Sequence, residues 1–272
     1  MARRFDLSKR FVNTGLSQLI GALLEGAGLH VTRSMNTLRE KRLEVLQGLE
    51  IPVVLDVGAN IGQYAMELRN SKYNGRIISF EPDPRSYSEL AVIETLQQGH
   101  VCLQMGLGSA NGEAQFLVRK NSTCSSFRSP ARNNGLETDL YDVESSVAVP
   151  VQTLDSVLPE ISRKDERFYL KIDTQGFERE VLLGAGNTLK RTDAVEVELS
   201  LTALYEGQAL LPEIWGMLAE AGFRPAWIER GYRDPGDIWL VQVDGLFVRE
   251  DAWRSRGKIG ASDRHLVSSA RQ

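Results

Sequence analysis

Asp56, Glu81, Asp173 and Glu198 each fall at or near the carboxyl end of an apolar run of β-forming residues, and a glycine turn follows the first of them. A carboxylate so placed can accept hydroxyl hydrogen bonds or take up a proton. Val53-Val54-Leu55 leads into Asp56, and the spacing is then Asp56-x-Gly58-x-Asn60-x-Gly62. Gly58 lacks a Cβ and lets a ligand come close to the backbone, while Gly62 lets the next helix start near strand or ligand. A dinucleotide fingerprint would read G-x-G-x-x-G. Here Asn60 occupies the place of the middle glycine, so the turn departs from the nicotinamide pattern. The next strand, RIISF, ends at Glu81, which can accept both hydroxyls of a ribose.

These residues need elements that bring strand ends to one edge. From Ile51 onward the pattern alternates strand and helix, an α/β arrangement in which ligands sit at the carboxyl edge of the sheet. VCLQMGLGS reads as a third strand ending near Met105 and Leu107, apolar residues that suit an adenine face or plain core packing. Phe168 to Ile172 form a strand, Asp173 ends it, Gly176 permits a turn, and Glu178 to Leu183 are helical before Gly184 and Gly186. Asp193 to Leu199 form a fifth strand containing Glu196 and Glu198. Carboxylates in a covered strand are costly unless paired, so Glu198 is expected to reach the crevice. Purely structural accounts are open too: Glu81 or Asp173 as a helix cap, and Glu196 and Glu198 as solvated residues of an exposed strand. Residues 119 to 146 lack periodicity and hold Ser122, Thr123, Ser125 and Ser126, a substrate-side loop or a solvated insertion. Asp244-Gly245 reads as a hairpin turn between IWLVQVD and GLFVR.

Composition narrows the partners. The formal net charge of −4 argues against a nucleic-acid binder. Cys102 and Cys124, the only cysteines, make neither a disulfide framework nor a zinc set, and a reducing cytoplasm is the expected location. His30, His100 and His265 show no ligand spacing. The expected organisation is a helical N-terminal extension or cap over 1–50, a catalytic domain over 51–250 and a flexible tail over 251–272. The first 33 residues are basic (five Lys or Arg against two Asp or Glu) and amphipathic. They contain no uninterrupted apolar span of membrane length, and read as a cap on the domain, or as a lid or peripheral membrane contact.

In order and spacing, DVGANIGQY, FEPDP, NSTCSS, PVQTLDSVL, LKIDTQGFEREVLLGAG and VEVELSLTALYEGQ resemble the FkbM family of S-adenosylmethionine-dependent methyltransferases, over about Ile51 to Val248. The resemblance implies a Rossmann-like class I sheet, mostly parallel with a C-terminal antiparallel hairpin. It also implies methyl transfer to a hydroxyl of a sugar, glycolipid or other secondary metabolite. Asp56, Gly58, Asn60, Gly62, Glu81 and Met105 are then the cofactor set, with Asp173 as general base and Glu198 beside it. A neighbouring family of sugar O-methyltransferases uses magnesium held by acidic residues in similar places, although its motif differs from DTQG. The alternatives are a nicotinamide-dependent oxidoreductase, against which the missing Tyr-x-x-x-Lys pair also weighs, and a non-catalytic cofactor-binding protein.

Overall fold

In the computed structural model, which describes residues 37–131, 142–232 and 238–257, the chain opens on helix α1 (Leu38–Gly48). Thr37 and Glu40 cap it reciprocally, each side chain accepting the other's amide. Strand and helix then alternate through β1 (Val53–Val57), α2 (Gln63–Asn70), β2 (Arg76–Phe80), α3 (Pro84–Leu96) and β3 (His100–Leu103). Next come β4 (Gly106–Leu107), β5 (Gly112–Arg119), β6 (Val143–Gln152), α4 (Leu154–Ile161) and β7 (Phe168–Ile172). The chain continues through α5 (Glu178–Leu183), α6 (Gly186–Lys190), β8 (Thr192–Ser200), α7 (Leu211–Glu220), β9 (Phe223–Arg230), β10 (Gln242–Arg249) and α8 (Glu250–Arg256).

Seven strands form the main sheet in the order β3-β2-β1-β7-β8-β10-β9. The first five are parallel neighbours, and β10 then joins β8 and β9 antiparallel. Order reverses beside β1, so the β1 and β7 loops diverge there and open a crevice at the carboxyl edge. Val53, Leu55, Phe168 and Leu170 bury one face against α4, α5 and α7; Val54, Ile77, Tyr169 and Leu246 bury the other against α1 and α2. A smaller sheet, β4-β6-β5, lies beside this edge. Among the described residues no helix is long and apolar enough to cross a membrane.

Three expectations need correction or limits. The C-terminal hairpin exists, but its arms are β9 and β10, and Asp244-Gly245 lies inside β10, opposite Glu198 and Val197 of β8. Gly245 makes room there: a Cβ would come within 2.7 Å of the Phe247 ring and 2.8 Å of Leu199 Cδ1. Strand β9 escapes the alternation rule because it is an edge strand, where Pro225 and exposed Arg224 are tolerated beside an irregularity in the β10 pairing. The frayed tail expected from Asp251 begins instead as α8, with Ala252 buried. Residues 1–36 and 258–272, which hold most of the expected extension and tail, lie outside the described residues, as do 132–141 of the proposed substrate loop.

Candidate active site

A cavity of about 500 Å³ opens at the carboxyl edge of β1, β2, β7 and β8. Gly58, Asn60, Glu81, Met105, Asp173 and Glu198 line it, whereas Asp56 and Gly62 do not. The amides of Gly58 and Ala59 bond the Phe80 carbonyl at 3.0 and 3.1 Å, locking the β1 turn to the end of β2. Gly58 adopts φ +77°, and a Cβ there would lie 1.9 Å from the Asp173 carbonyl oxygen. The neighbouring loop therefore demands glycine before any ligand does. At Gly62 (φ +87°) the close neighbours are Leu90 and Ile93 of α3, so this residue serves helix packing.

Glu81 is braced by two backbone amides, that of Asn60 at 2.7 Å to one carboxylate oxygen and that of Asp83 at 2.8 Å to the other. Asp83 itself caps α3, so Glu81 is not the cap. Each Glu81 oxygen takes only one of these bonds and retains acceptor capacity beside the cavity. Burial pushes its carboxyl up to about 7, against the pull of the two amides. Asn60 adopts φ +48°, which asparagine tolerates better than most residues, and its side-chain amide lies 3.2 Å from Ser122 Oγ.

On the other side, the Gln175 amide donates to Asp173 at 2.8 Å and to Glu198 at 3.1 Å. Gln175 in turn accepts from Tyr205 Oη at 2.9 Å, and its carbonyl accepts from Ser126 at 2.7 Å. This bracing holds its backbone at φ +55°. Asp173 does not cap α5; Glu178 takes the Thr174 and Gly176 amides instead. Burial, reinforced by the carboxylates of Asp173, Glu178 and Asp244, pushes Glu198 well above the usual carboxylate range, with Lys171 opposing. Asp244, across the strand pair from Glu198, is pushed up to about 7 by burial and by Asp173 and Glu196. Glu198 therefore reaches the crevice. Glu196 points to neither crevice nor solvent: it is buried, accepts from Nε and Nη2 of Arg42 at 2.7 Å each, and takes the Tyr169 hydroxyl.

Lys171 is a site residue that periodicity hides. It is buried in β7, and its amine lies 2.9 Å from the Gly58 carbonyl, 3.1 Å from Asp56 and 3.7 Å from Asp173. Burial alone would lower this amine, but the two carboxylates more than offset that and hold it above its ordinary value. Asp56, expected to touch the cofactor, is fully buried and anchors Lys171 from below. A lysine in an otherwise apolar strand, two residues before Asp173, was the available signal.

The family model described as the methyltransferase FkbM domain matches residues 56–225, more than half of the chain. Three relatives agree. A 2-O-methyltransferase, NoeI, of Sinorhizobium fredii is 26% identical over 174 residues, covering 61% of this chain and 71% of that protein. The methyltransferase sdnD of Sordaria araneosa is 27% identical over 197 residues, covering 63% and 73%. The hexuronic acid methyltransferase AglP of Haloferax volcanii is 30% identical over 159 residues, covering 58% and 60%. The matched stretch takes in the β1 turn, Glu81, Asp173 and Glu198, so the edge that gathers them is the family's own domain, and the chain belongs to the FkbM family of S-adenosylmethionine-dependent methyltransferases.

Proposed function

We propose that this enzyme methylates a hydroxyl oxygen of a sugar-bearing or related secondary-metabolite acceptor. The observation that carries the reading is the Asp173-Gln175-Glu198 bridge on the cavity that Glu81 also lines. The 2-O-methyltransferase and the hexuronic acid methyltransferase among the relatives support a hydroxylated acceptor.

The residues suit the cofactor. The two oxygens of Glu81 would take the ribose hydroxyls, and Pro82, Met105 and Leu107 offer an apolar face to a flat base. The bound cofactor supplies an electrophilic methyl group on a sulfonium. The chain's own task is to orient an alcohol and remove its proton. Asp173, whose side chain is 41% exposed at the cavity, accepts that proton. Glu198, withdrawn from water and tied to the same amide, is a carboxyl that burial and its acidic neighbours bias toward the protonated form. For magnesium, the donor set is thin: the Gln175 amide bridges the two carboxylates, and among the described residues no three Asp, Glu, His or Cys are grouped to hold an ion.

Calorimetric titration with S-adenosylhomocysteine, in parallel with NAD and NADP, tests the cofactor half. A methyl-labelled S-adenosylmethionine screen over hydroxylated sugars and glycolipids, with and without magnesium, tests the acceptor half. Incorporation of label into an ether is the expected result. Label found on nitrogen or carboxylate oxygen, or binding of a nicotinamide nucleotide alone, would overturn the reading.

A further inference from the structure

Gln175 is a costly residue where it stands. Its φ of +55° lies in the left-handed region, which glycine or asparagine would enter at less strain. Nor does the turn need a long side chain for support, because Glu178 already takes the amides of Thr174 and Gly176. What this side chain adds is reach. Its nitrogen donates to Asp173 Oδ1 at 2.8 Å and to Glu198 Oε2 at 3.1 Å, which uses both protons of a primary amide. Ionised carboxylates only accept, so the amide can present nothing but its nitrogen to them. Its oxygen then faces the Tyr205 hydroxyl at 2.9 Å, a donor that the Cys124 carbonyl shares at 3.1 Å. Tyr205 is itself held firmly. It is fully buried, the Arg119 guanidinium lies 5.4 Å from its ring centroid, and a Cβ on Gly176 would come within 2.9 Å of that ring.

We infer that Gln175, oriented by Tyr205, is a positioning residue of the methyl transfer: it holds the Asp173 carboxylate where it can take the hydroxyl proton and separates it from Glu198. The inference rests on the acceptor reading above and deepens it by adding two residues to the step. Two carboxylates side by side repel, and one of them takes up a proton unless a donor or a cation lies between them. Lys171 does not fill that place. Its amine stands 3.7 Å from the other Asp173 oxygen and is engaged by Asp56 and by the Gly58 carbonyl. A donor to a carboxylate favours its ionised form, so the amide favours the Asp173 that the reaction needs and adds no charge to the cavity. The other titratable groups around the pair are Lys171 of β7, Glu178 of α5, Asp244 of β10 and Cys124 after β5, with Glu67 and Glu81 on the cavity wall. All of them are kept in the variants that test the inference.

Those variants are Gln175→Met, which keeps the length and removes the amide, and Tyr205→Phe, which removes one hydroxyl. The first measurement needs no acceptor. In whole chain isotopically labelled at glutamine side-chain nitrogen, the magnetic resonance signals of the Gln175 amide are assigned by their absence from Gln175→Met. Both protons should lie downfield of free glutamine amides, exchange slowly with water and move as the carboxylates are titrated with acid; in Tyr205→Phe they should exchange faster. The second measurement is the pH profile of turnover with the acceptor from the label screen. Gln175→Met should lower kcat at least about tenfold and move the acid limb of the profile up by at least about one unit, with KM and S-adenosylhomocysteine affinity within a few fold of wild type. Tyr205→Phe should do the same to a smaller extent. Free-glutamine shifts and exchange at Gln175 in wild type overturn the inference, and so does an unmoved acid limb in Gln175→Met. Loss of S-adenosylhomocysteine affinity in Gln175→Met, with turnover per bound complex preserved, overturns it too and gives the residue to the cofactor. Absence of a labelled ether from every hydroxyl acceptor strikes the proposed function and takes this inference with it, whereas ether formed by a wild type that lacks the bridge signals strikes the inference alone.

Discussion

Lys171 and Asp56 form a buried ion pair at 3.1 Å beneath the floor of the cavity, where the Asp56 side chain is fully withdrawn from water. The same amine reaches the Gly58 carbonyl on the β1 turn and the Asp173 carboxylate at the end of β7. One cation thus links three parts of the site, and it sets the first prediction.

Lys171→Met should destabilise the fold by about 3–5 kcal/mol, because it leaves a buried carboxylate without its partner. Adding Asp56→Asn removes that stranded charge, and D56N/K171M should recover much of the loss. Urea unfolding of the three proteins decides it. A single variant as stable as wild type would mean that the pair contributes nothing to folding.

Glu81→Ala should weaken S-adenosylhomocysteine binding by about 1–3 kcal/mol, the effect of leaving ribose hydroxyls without a charged acceptor. Unchanged affinity would remove Glu81 from the ribose role.

The same residue predicts a pH dependence. The Glu81 carboxyl is held up to about 7, and its ionised form is the better acceptor for hydroxyl donors. Affinity for S-adenosylhomocysteine should therefore rise as pH increases through about 7 and level off above it, with proton release on binding near neutrality. For folding the sign is opposite. The raised value means that the folded chain holds this proton more tightly than the unfolded one, so the contribution is full below about 4.5 and lost as pH rises through about 7. Calorimetry in buffers of differing ionisation enthalpy reads the proton release directly. In Glu81→Gln the affinity dependence should vanish and the folding dependence should weaken, with Asp244, also held up to about 7, supplying the remainder.

Asp173→Asn should keep S-adenosylhomocysteine affinity within a few fold and lower turnover of the acceptor found in the screen by about 10²–10⁴-fold, the usual contribution of a general base. Loss of cofactor binding with turnover per bound complex preserved would reassign Asp173 to the cofactor.

The strand ends were legible from local sequence, since an apolar run stopping at a carboxylate marks Glu81 and Asp173 without any knowledge of partners. Glu198 was legible for a related reason: of two carboxylates in one covered strand, the one nearer its end can reach the edge. What stayed hidden depends on contacts distant in sequence. Glu196 is neutralised by Arg42, 154 residues away on a helix that precedes the matched domain. Asp244-Gly245 carries a local turn signal, but pairing with β8 and β9 on both sides overrides it. Lys171 looks like an interruption of an apolar strand until Asp56 is placed beside it in the sheet.

The two glycines of the cofactor turn make the last prediction, because they share a backbone conformation and differ in what surrounds them. Alanine at either position bears the strain of positive φ, about 1–2 kcal/mol. At Gly62 the added Cβ would also meet methyl groups of Leu90 and Ile93 at 2.9 and 2.8 Å, side-chain ends that can rotate aside. At Gly58 it would meet the Asp173 carbonyl oxygen at 1.9 Å, and a backbone atom yields only if its loop moves. That movement would lengthen the 3.0 Å bond from the Asp173 amide to Val57 and separate the β1 turn from the Asp173 carboxylate. Gly58→Ala should therefore lose more stability than Gly62→Ala and should also lose S-adenosylhomocysteine binding, whereas Gly62→Ala should largely keep it. Paired thermal unfolding and titration separate the two; equal stability and equal affinity would show that the close approach at Gly58 imposes no constraint of its own.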